Sequence, residues 1–344
     1  MQGVTARALG RLPARVQLKL SGRPQVEVDG QRLDPCLQLV LALSRRRARY
    51  GLCEPDPAAA RLRFRREVLI FGGPKTRVGE VRDLEIDGAA GRLRARHYAP
   101  PEGSADLLVY LHGGGFVIGD LETHDETCRV LCLHARTHVL SVEYRLAPEH
   151  PFPAGQQDAV SALRWAQANA GQFGAHASRV SIGGDSAGGN LAAVAAQLTA
   201  QEQPPAAQLL IYPTTDAAGE ERASKKLFGR GFFLARTDCD AFLRHYVNGT
   251  GASVDDPRLS PLRAKDLDGL APALVATAGF DYLRDEGDAY AQRLKKEARA
   301  GVVWRRFPSL AHGFVNMTGV CPAAADALVD IAREWRALLE HSGR

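Results

Sequence analysis

Short apolar runs alternate with longer stretches of helical periodicity along most of this chain. The runs that predict strands are 81–86, 93–98, 107–111, 139–144, 180–182, 209–212, 274–277 and 302–307. The stretches that predict helices are 124–135, 158–170, 187–202, 286–299 and 322–341. The first two strands flank Asp87-Gly88, which favours a hairpin, and helices separate most of the later ones. The pattern therefore predicts an α/β fold with an eight-stranded, mostly parallel sheet flanked by helices.

Two regions fall outside this alternation. Residues 1–75 have mainly helical patterns, and Asp34 followed by Pro35 is typical of a helix start. Almost sixty residues separate Pro213 from Leu270, which is too long for an ordinary strand–helix connection. We therefore predict N-terminal cap helices over residues 1–75, an α/β domain over 76–213 and 270–344, and an inserted second cap segment over 214–269.

The charge is unevenly distributed along the chain, which bears on the partners to expect. Residues 1–66 hold 14 Lys and Arg against 5 Asp and Glu, whereas the whole chain of 344 residues carries +5. Such a patch could attract anionic lipid or an acidic partner, but the arginine spacing favours solvated helix faces. This basic set comprises Arg45, Arg46, Arg47, Arg49, Arg61, Arg63, Arg65 and Arg66. No aromatic interleaving accompanies it, so nucleic acid is not an expected partner.

The six cysteines are scattered, as in proteins of a reducing compartment. The N-terminus lacks the apolar region of a signal peptide, and nowhere do 18 apolar residues run together. The expectation is a cytoplasmic protein without a transmembrane segment. A homodimer remains open at this stage.

A candidate nucleophile lies where a predicted strand meets a predicted helix. Gly184, Ser186 and Gly188 form a G-x-S-x-G pattern at this junction. Small neighbours allow the strained backbone that lifts such a serine clear of the chain, and the helix that follows directs N–H groups toward it. By itself the pattern is weak, since many glycine-rich turns only pack a helix on a sheet.

An acid and a base follow at the ends of later strands. Asp281 comes directly after the apolar run 273–278, and His312 lies in the loop after the last strand. The order Ser, Asp, His is that of α/β-hydrolases. Asp285 and Glu286 are rival acids, but they are expected to open the next helix.

Three consecutive glycines follow the strand 107–111. Backbone N–H groups in such a loop can stabilise the negative charge that develops on a carbonyl oxygen during acyl transfer. We expect Gly113 and Gly114, together with the Ala187 N–H after the nucleophile, to form an oxyanion hole. His112 is interpreted as a hydrogen-bonded structural residue.

Taken together, these motifs resemble those of bacterial hormone-sensitive-lipase-like (family IV) carboxylesterases of the α/β-hydrolase fold. The matching blocks are H-G-G-G-F-V-I-G-D-L-E-T-H-D (112–125), V-E-Y-R-L-A-P-E-H-P-F-P-A (142–154), G-D-S-A-G-G-N-L-A (184–192), S-P-L-R-A-K-D-L (260–267), T-A-G-F-D-Y-L-R-D-E-G (277–287) and H-G-F (312–314). The resemblance spans residues 80–344. Residues 1–75 match only as a plausible helical cap.

The resemblance implies a carboxylic-ester hydrolase acting on short- to medium-chain acyl esters. It implies a triad of Ser186, Asp281 and His312, an acyl-enzyme intermediate and no cofactor. The expected partner is a small-molecule ester. One departure is Tyr282, because the family usually has proline after the catalytic aspartate. We expect an apolar lining from Phe116, Phe233, Leu283 and Phe314.

Other interpretations of the same residues stay open. The same triad could serve an amidase or peptidase, and related proteins of this fold act as non-catalytic small-molecule receptors. No metal is expected, because short ligand spacings such as C-x₂-C are missing. The residues considered for such a site are His124, Cys128, Cys132, His134 and His138. We interpret the loop beneath the site as held in place by Arg145 and Glu149, with Asp158.

Overall fold

A single large sheet organises the computed structural model, which describes residues 2–45, 52–53, 56–298 and 301–342. The strands are β1 (Glu27–Val28), β2 (Gln31–Arg32), β3 (Glu80–Gly88), β4 (Gly91–Ala99), β5 (Leu107–Leu111), β6 (His138–Val142), β7 (Val180–Asp185), β8 (Gln208–Ile211), β9 (Ala273–Phe280) and β10 (Val302–Ala311). Eight of them form one sheet in the order β10-β9-β8-β7-β5-β6-β4-β3. Strand β4 pairs antiparallel with both β3 and β6, and the other neighbours are parallel. The predicted fold class is confirmed.

Helices cover both faces of this sheet. They are α1 (Gln2–Gly10), α2 (Ala14–Ser21), α3 (Pro35–Arg45), α4 (Pro57–Phe71), α5 (Asp125–Ala135), α6 (Ala154–Asn169), α7 (Ala187–Thr199), α8 (Ala223–Phe228), α9 (Arg236–Val247), α10 (Arg284–Glu297) and α11 (Pro322–Ser342). Side chains of β5 alternate between two cores: Leu107 and Val109 pack in the core of α6, α7 and α10, whereas Leu108 and Tyr110 pack in that of α5 and α11. Burial on both faces explains why the central strands read as continuous apolar runs.

The hairpin at the sheet edge differs in detail from its prediction. Gly88 pairs with Gly91, so the turn consists of residues 89–90. Asp87 and Gly88 end the first strand instead of forming the turn. The pair of strands was predicted correctly, but the turn lies two residues later.

The N-terminal helices pack on one another and on the end of the sheet. Asp34 Oδ1 accepts the backbone N–H groups of Cys36 (2.8 Å) and Leu37 (3.2 Å), which caps α3 as predicted. Helix α3 packs on α2, and α4 packs on α1. Arg46, Arg47 and Arg49 of the predicted basic set lie outside the described residues. The division into cap and α/β domain stays a prediction.

Within the described ranges, no helix combines the length and apolar character needed to cross a bilayer.

Candidate active site

Ser186 occupies the sharp turn between β7 and α7. Its backbone has φ 54° and ψ −115°, a conformation that side chains rarely adopt. Its N–H donates to Ile211 O (2.9 Å), and its carbonyl accepts the N–H of Thr214 (3.2 Å). A Cβ at either Gly184 or Gly188 would overlap the carbonyl oxygen of Leu111. Close contact of these glycines with β5, together with the two hydrogen bonds, holds the serine in its strained position.

The three predicted triad residues meet at the carboxyl ends of their strands. His312 Nε2 lies 3.0 Å from Ser186 Oγ, and His312 Nδ1 lies 2.8 Å from Asp281 Oδ2. The other oxygen of Asp281 accepts the backbone N–H of Leu283 (2.9 Å), which orients the carboxylate. Asp281 is 1% exposed and His312 is 9% exposed. Hydrogen bonds therefore connect acid, imidazole and hydroxyl without a break.

The two rival acids are occupied elsewhere. Asp285 Oδ2 accepts the backbone N–H of Ser224 (2.7 Å). Glu286 Oε1 accepts the N–H groups of Thr215 (2.8 Å) and Asp216 (3.1 Å). Both residues lie in the first turn of α10, where a carboxylate is favoured by the helix dipole.

Asp185, the residue before the serine, lies at the centre of a buried polar network. It accepts hydrogen bonds from Tyr110 OH (2.8 Å), from the Gly113 N–H (2.9 Å) and from Tyr212 OH (3.4 Å). His124 Nε2 lies 3.2 Å from the same carboxylate. Burial acts to raise the pKa of Asp185, but His124 and the hydrogen bonds outweigh it and hold that pKa below its ordinary value. The carboxylate is therefore charged although it is buried.

This network corrects one predicted oxyanion donor. The Gly113 N–H is taken by Asp185 and cannot face a substrate oxygen. Among the described residues, no acceptor engages the N–H groups of Gly114 and Gly115. Ala187 begins α7, so its N–H has no preceding turn to donate to. The free donors are thus Gly114, Gly115 and Ala187. The presence of a third consecutive glycine was the sequence signal that could have identified Gly115 as a donor.

A cavity of about 1010 Å³ opens over Ser186 and His312. Its walls come from α1, α3 and α4 on one side and from α8 and α9 on the other. Phe116, Phe233 and Leu283 line it as expected. The Phe116 ring stacks on that of Tyr246 in α9, with centroids 3.9 Å apart.

Phe314 was predicted for this lining and does not belong to it. Its side chain is fully buried in the core of α5 and α11, against Tyr212 (5.2 Å between centroids) and Phe307 (5.5 Å). The short 3₁₀ turn Phe314–Asn316 directs this ring under the sheet end, away from the cavity.

Polar residues near the site have structural roles. Arg145 pairs with Asp158 (2.9 Å) as predicted, whereas Glu149 pairs with Arg61 of α4 (2.7 Å). His112 stacks on Tyr144 (4.5 Å) and bonds Gly113 O through Nδ1 (2.8 Å).

One group of three ligand atoms lies within 4.8 Å in the described part of the chain. It consists of Asp34, Cys36 and Cys321. The carboxylate oxygen of Asp34 in this group already accepts the hydrogen bond that caps α3.

Comparison with known proteins identifies the family. Residues 108–316 match the family model described as the alpha/beta hydrolase fold, and this match includes Ser186, Asp281 and His312. The chain is a family IV carboxylesterase.

Its relatives hydrolyse esters. The carboxylic ester hydrolase LipN of Mycobacterium tuberculosis is 46% identical over 91% of this chain and 85% of its own length. The ethyl acetate hydrolase of Pseudomonas putida is 36% identical over 82% of this chain and 89% of its own. An ester-hydrolase from the metagenome of Lake Arreo, solved with a derivative of bipyridine phosphonate, superposes with a TM-score of 0.85. It is 42% identical, covering 91% of this chain and all of that one. Ester hydrolysis is therefore the reaction of this carboxylesterase.

In this carboxylesterase, tyrosine at position 282 leaves the acid in place. The bond from Leu283 N–H to Asp281 is present, and Tyr282 O accepts a hydrogen bond from Ser224 Oγ (3.1 Å). The Tyr282 side chain lines the cavity, where burial raises its pKa to about 12. The departure therefore changes the wall of the pocket beside the acid.

Proposed function

We propose that this carboxylesterase works through Ser186 as nucleophile, His312 as base and Asp281 as the group that orients the base. The observation that carries this proposal is the continuous hydrogen-bonded chain from Asp281 Oδ2 to His312 Nδ1 (2.8 Å) and from Nε2 to Ser186 Oγ (3.0 Å). A serine hydroxyl needs such a base, and the imidazole needs a partner that fixes its tautomer.

The reaction has two halves. Ser186 Oγ attacks the ester carbonyl carbon while its proton passes to His312 Nε2, and the carbonyl oxygen becomes an oxyanion. The N–H groups of Gly114, Gly115 and Ala187 bind that oxygen. The C–O bond to the alcohol then breaks, and the alcohol leaves with the proton from His312. Water, deprotonated by His312, attacks the acyl-enzyme and releases the acid and free Ser186.

The cap segments determine which esters enter. We propose that α1, α3 and α4 together with α8 and α9 form the cap, because both sets line the cavity above Ser186. A volume of about 1010 Å³ accommodates the short- to medium-chain acyl esters inferred from the resemblance. We further propose that Phe116, Phe233 and Leu283 contact the substrate.

Replacement of the nucleophile tests the proposal. Ser186→Ala should reduce kcat/KM on p-nitrophenyl hexanoate by about 10⁴-fold or more, and labelling by a serine-directed phosphonate should disappear. Ser181→Ala is a matched control, since Ser181 lies in β7, the strand that leads to Ser186, and its Oγ is buried without a partner among the described residues. Comparable turnover by Ser186→Ala and wild type would refute the assignment.

Amide hydrolysis is the remaining alternative for the same residues. Parallel assays with the p-nitrophenyl ester and the p-nitroanilide of one acyl group separate the two activities. We expect turnover of the ester and little or none of the anilide. Equal turnover of both would favour the amidase interpretation.

A further inference from the structure

One lysine lines the cavity close to Tyr282 and Glu286, and this part of the cavity is its polar lobe. Lys225 lies in α8, faces the cavity and has a side chain that is 9% exposed. Its ammonium lies 3.0 Å from Glu286 Oε2 and 5.6 Å from the centre of the Tyr282 ring. Burial of a charge at a cavity wall is costly unless its hydrogen-bonding capacity is used.

That capacity is only partly used within the chain. An ammonium has three N–H donors. One faces Glu286 and a second can face the Tyr282 ring, so at least one is left without an acceptor among the described residues. Glu286 Oε1 is occupied by two backbone N–H groups, whereas Oε2 has no hydrogen-bond partner among the described residues and only the ion-pair contact with Lys225. A free donor and a buried acceptor oxygen without a hydrogen-bond donor thus lie side by side on two residues that line the cavity.

The position of this pair is fixed relative to the triad. The Ser224 N–H donates to Asp285 Oδ2 (2.7 Å), and Ser224 Oγ donates to Tyr282 O (3.1 Å). These bonds tie the start of α8 to the loop that carries Asp281. Lys225, the next residue, is therefore held beside the loop that carries Asp281.

The ion pairs at this wall are balanced, which favours a neutral substrate group. Lys225 and Glu286 neutralise each other, and Asp216, which also lines this lobe, is neutralised by Arg263 (3.0 Å) and Arg222 (3.4 Å). A carboxylate would meet Glu286, and a substrate ammonium would meet Lys225. A carbonyl could use only the donor. A hydroxyl can accept from the lysine and donate to the glutamate at once.

We propose that Lys225 and Glu286 form a subsite for a hydroxyl group of the substrate, so that the preferred substrates are esters with a hydroxylated substituent. This inference rests on the proposed ester-hydrolase mechanism. A site built to hydrogen-bond a hydroxyl discriminates against the apolar isostere, because the isostere leaves the buried polar groups without partners.

Matched substrate pairs test the subsite on the wild-type enzyme. In one arm, p-nitrophenyl esters of ω-hydroxyalkanoic acids are compared with alkanoates of equal heavy-atom count, over chains of about four to ten carbons. In the other arm, the hydroxyl is on the alcohol half, and acid release is followed by pH-stat. We expect kcat/KM to favour the hydroxylated ester by about tenfold at the best-fitting chain length. The preference should appear in the arm that places the hydroxyl on the half of the ester, acyl or alcohol, that occupies this lobe.

Variants on α8 assign the preference to the ammonium. Lys225→Met retains the length of the side chain and should reduce the ratio of hydroxylated to plain ester to about one. Lys226→Met is the matched control, because Lys226 is exposed and pairs with Glu221 on the surface. It should retain the wild-type ratio.

Each outcome separates the two proposals. No preference in either arm, or the same preference in Lys225→Met as in wild type, overturns the subsite while ester hydrolysis stands. Failure of the wild type to hydrolyse any of the esters, together with no phosphonate labelling of Ser186, overturns the mechanism itself. The wild-type comparison decides the question even if Lys225→Met fails to fold.

Discussion

The Asp185 carboxylate accepts the backbone N–H of Gly113 at 2.9 Å, although 72 residues separate them in the chain. This bond joins the residue before Ser186 to the residue before Gly114 and Gly115. The position of Ser186 and that of the N–H groups of Gly114 and Gly115 are therefore coupled through one buried carboxylate. We expect Asp185 to act as a positioning residue, since it does not touch Ser186 Oγ or the imidazole of His312.

Asp185→Asn should lower kcat about tenfold to a hundredfold, less than the loss of a whole oxyanion donor, and change KM much less. The uncharged amide weakens the bonds that Tyr110 and Gly113 donate to Oδ1, and an amide NH₂ in place of Oδ2 cannot accept the bond from Tyr212. A misplaced oxyanion donor weakens the transition state more than the bound substrate. Steady-state kinetics on p-nitrophenyl hexanoate measure both constants.

Asp87→Asn is the control for this experiment, because Asp87 is an exposed carboxylate at the sheet edge. It should leave both constants unchanged. A rise in KM with kcat intact in Asp185→Asn would contradict the positioning role.

The sheet, and the meeting of Ser186, Asp281 and His312 at one edge of it, could be predicted from sequence because both depend on local pattern. Asp281 and His312 directly follow strands, and parallel strands end at one edge of the sheet. Gly113 was assigned wrongly because its partner, Asp185, is remote in sequence and only the folded chain brings them together. Phe314 was assigned wrongly because the direction of its side chain depends on a 3₁₀ turn that periodicity does not reveal. Lys225 lies in the short helix α8, between β8 and β9, where no pattern indicated a buried lysine.

Gly188→Ala should destabilise the fold by about 1–3 kcal/mol or prevent it. A Cβ there would overlap the backbone carbonyl of Leu111 in β5, and backbone in the central sheet cannot shift easily. Urea denaturation followed by tryptophan fluorescence measures the free energy of unfolding. Gly171→Ala is the matched control, since a Cβ at that position meets nothing within 4 Å. Equal stability of the two variants would contradict the close-packing argument.

The free energy of unfolding should fall as pH decreases from about 6.5 toward 4. His97 Nε2 lies 3.0 Å from His138 Nδ1, and both rings are buried. Burial lowers the pKa of His97 to about 4 and lowers that of His138 as well. Between the folded and ordinary pKa values, the unfolded chain binds more protons, so acid favours unfolding in this window. Urea midpoints measured across the window provide the test.

His97→Phe should make this acid-induced loss shallower, because one buried titrating ring is removed while the contact with Phe173 (4.3 Å between centroids) can persist. His341→Gln removes an exposed histidine and should follow the wild-type curve. If His97→Phe lost stability as steeply as wild type, the histidine pair would not be the source.

Arg61→Ala should lower the free energy of unfolding by about 1–3 kcal/mol and raise KM. Its guanidinium donates to Val117 O (2.8 Å), after the glycine loop, and to Ala147 O (2.9 Å), after β6. Loss of these bonds frees α4, which lines the cavity, and leaves two carbonyls without their donor. Thermal denaturation and substrate titration measure the two effects.

Two further variants show which of the Arg61 bonds matter. Glu149 is 53% exposed, so its ion pair with Arg61 should contribute little, and Glu149→Ala should destabilise far less than Arg61→Ala. Arg66→Ala removes an exposed arginine from the same helix and should have almost no effect on either measurement. A Glu149→Ala variant as unstable as Arg61→Ala would place the stabilisation in the ion pair instead of the carbonyl bonds, and α4 would then be held to the sheet by charge alone.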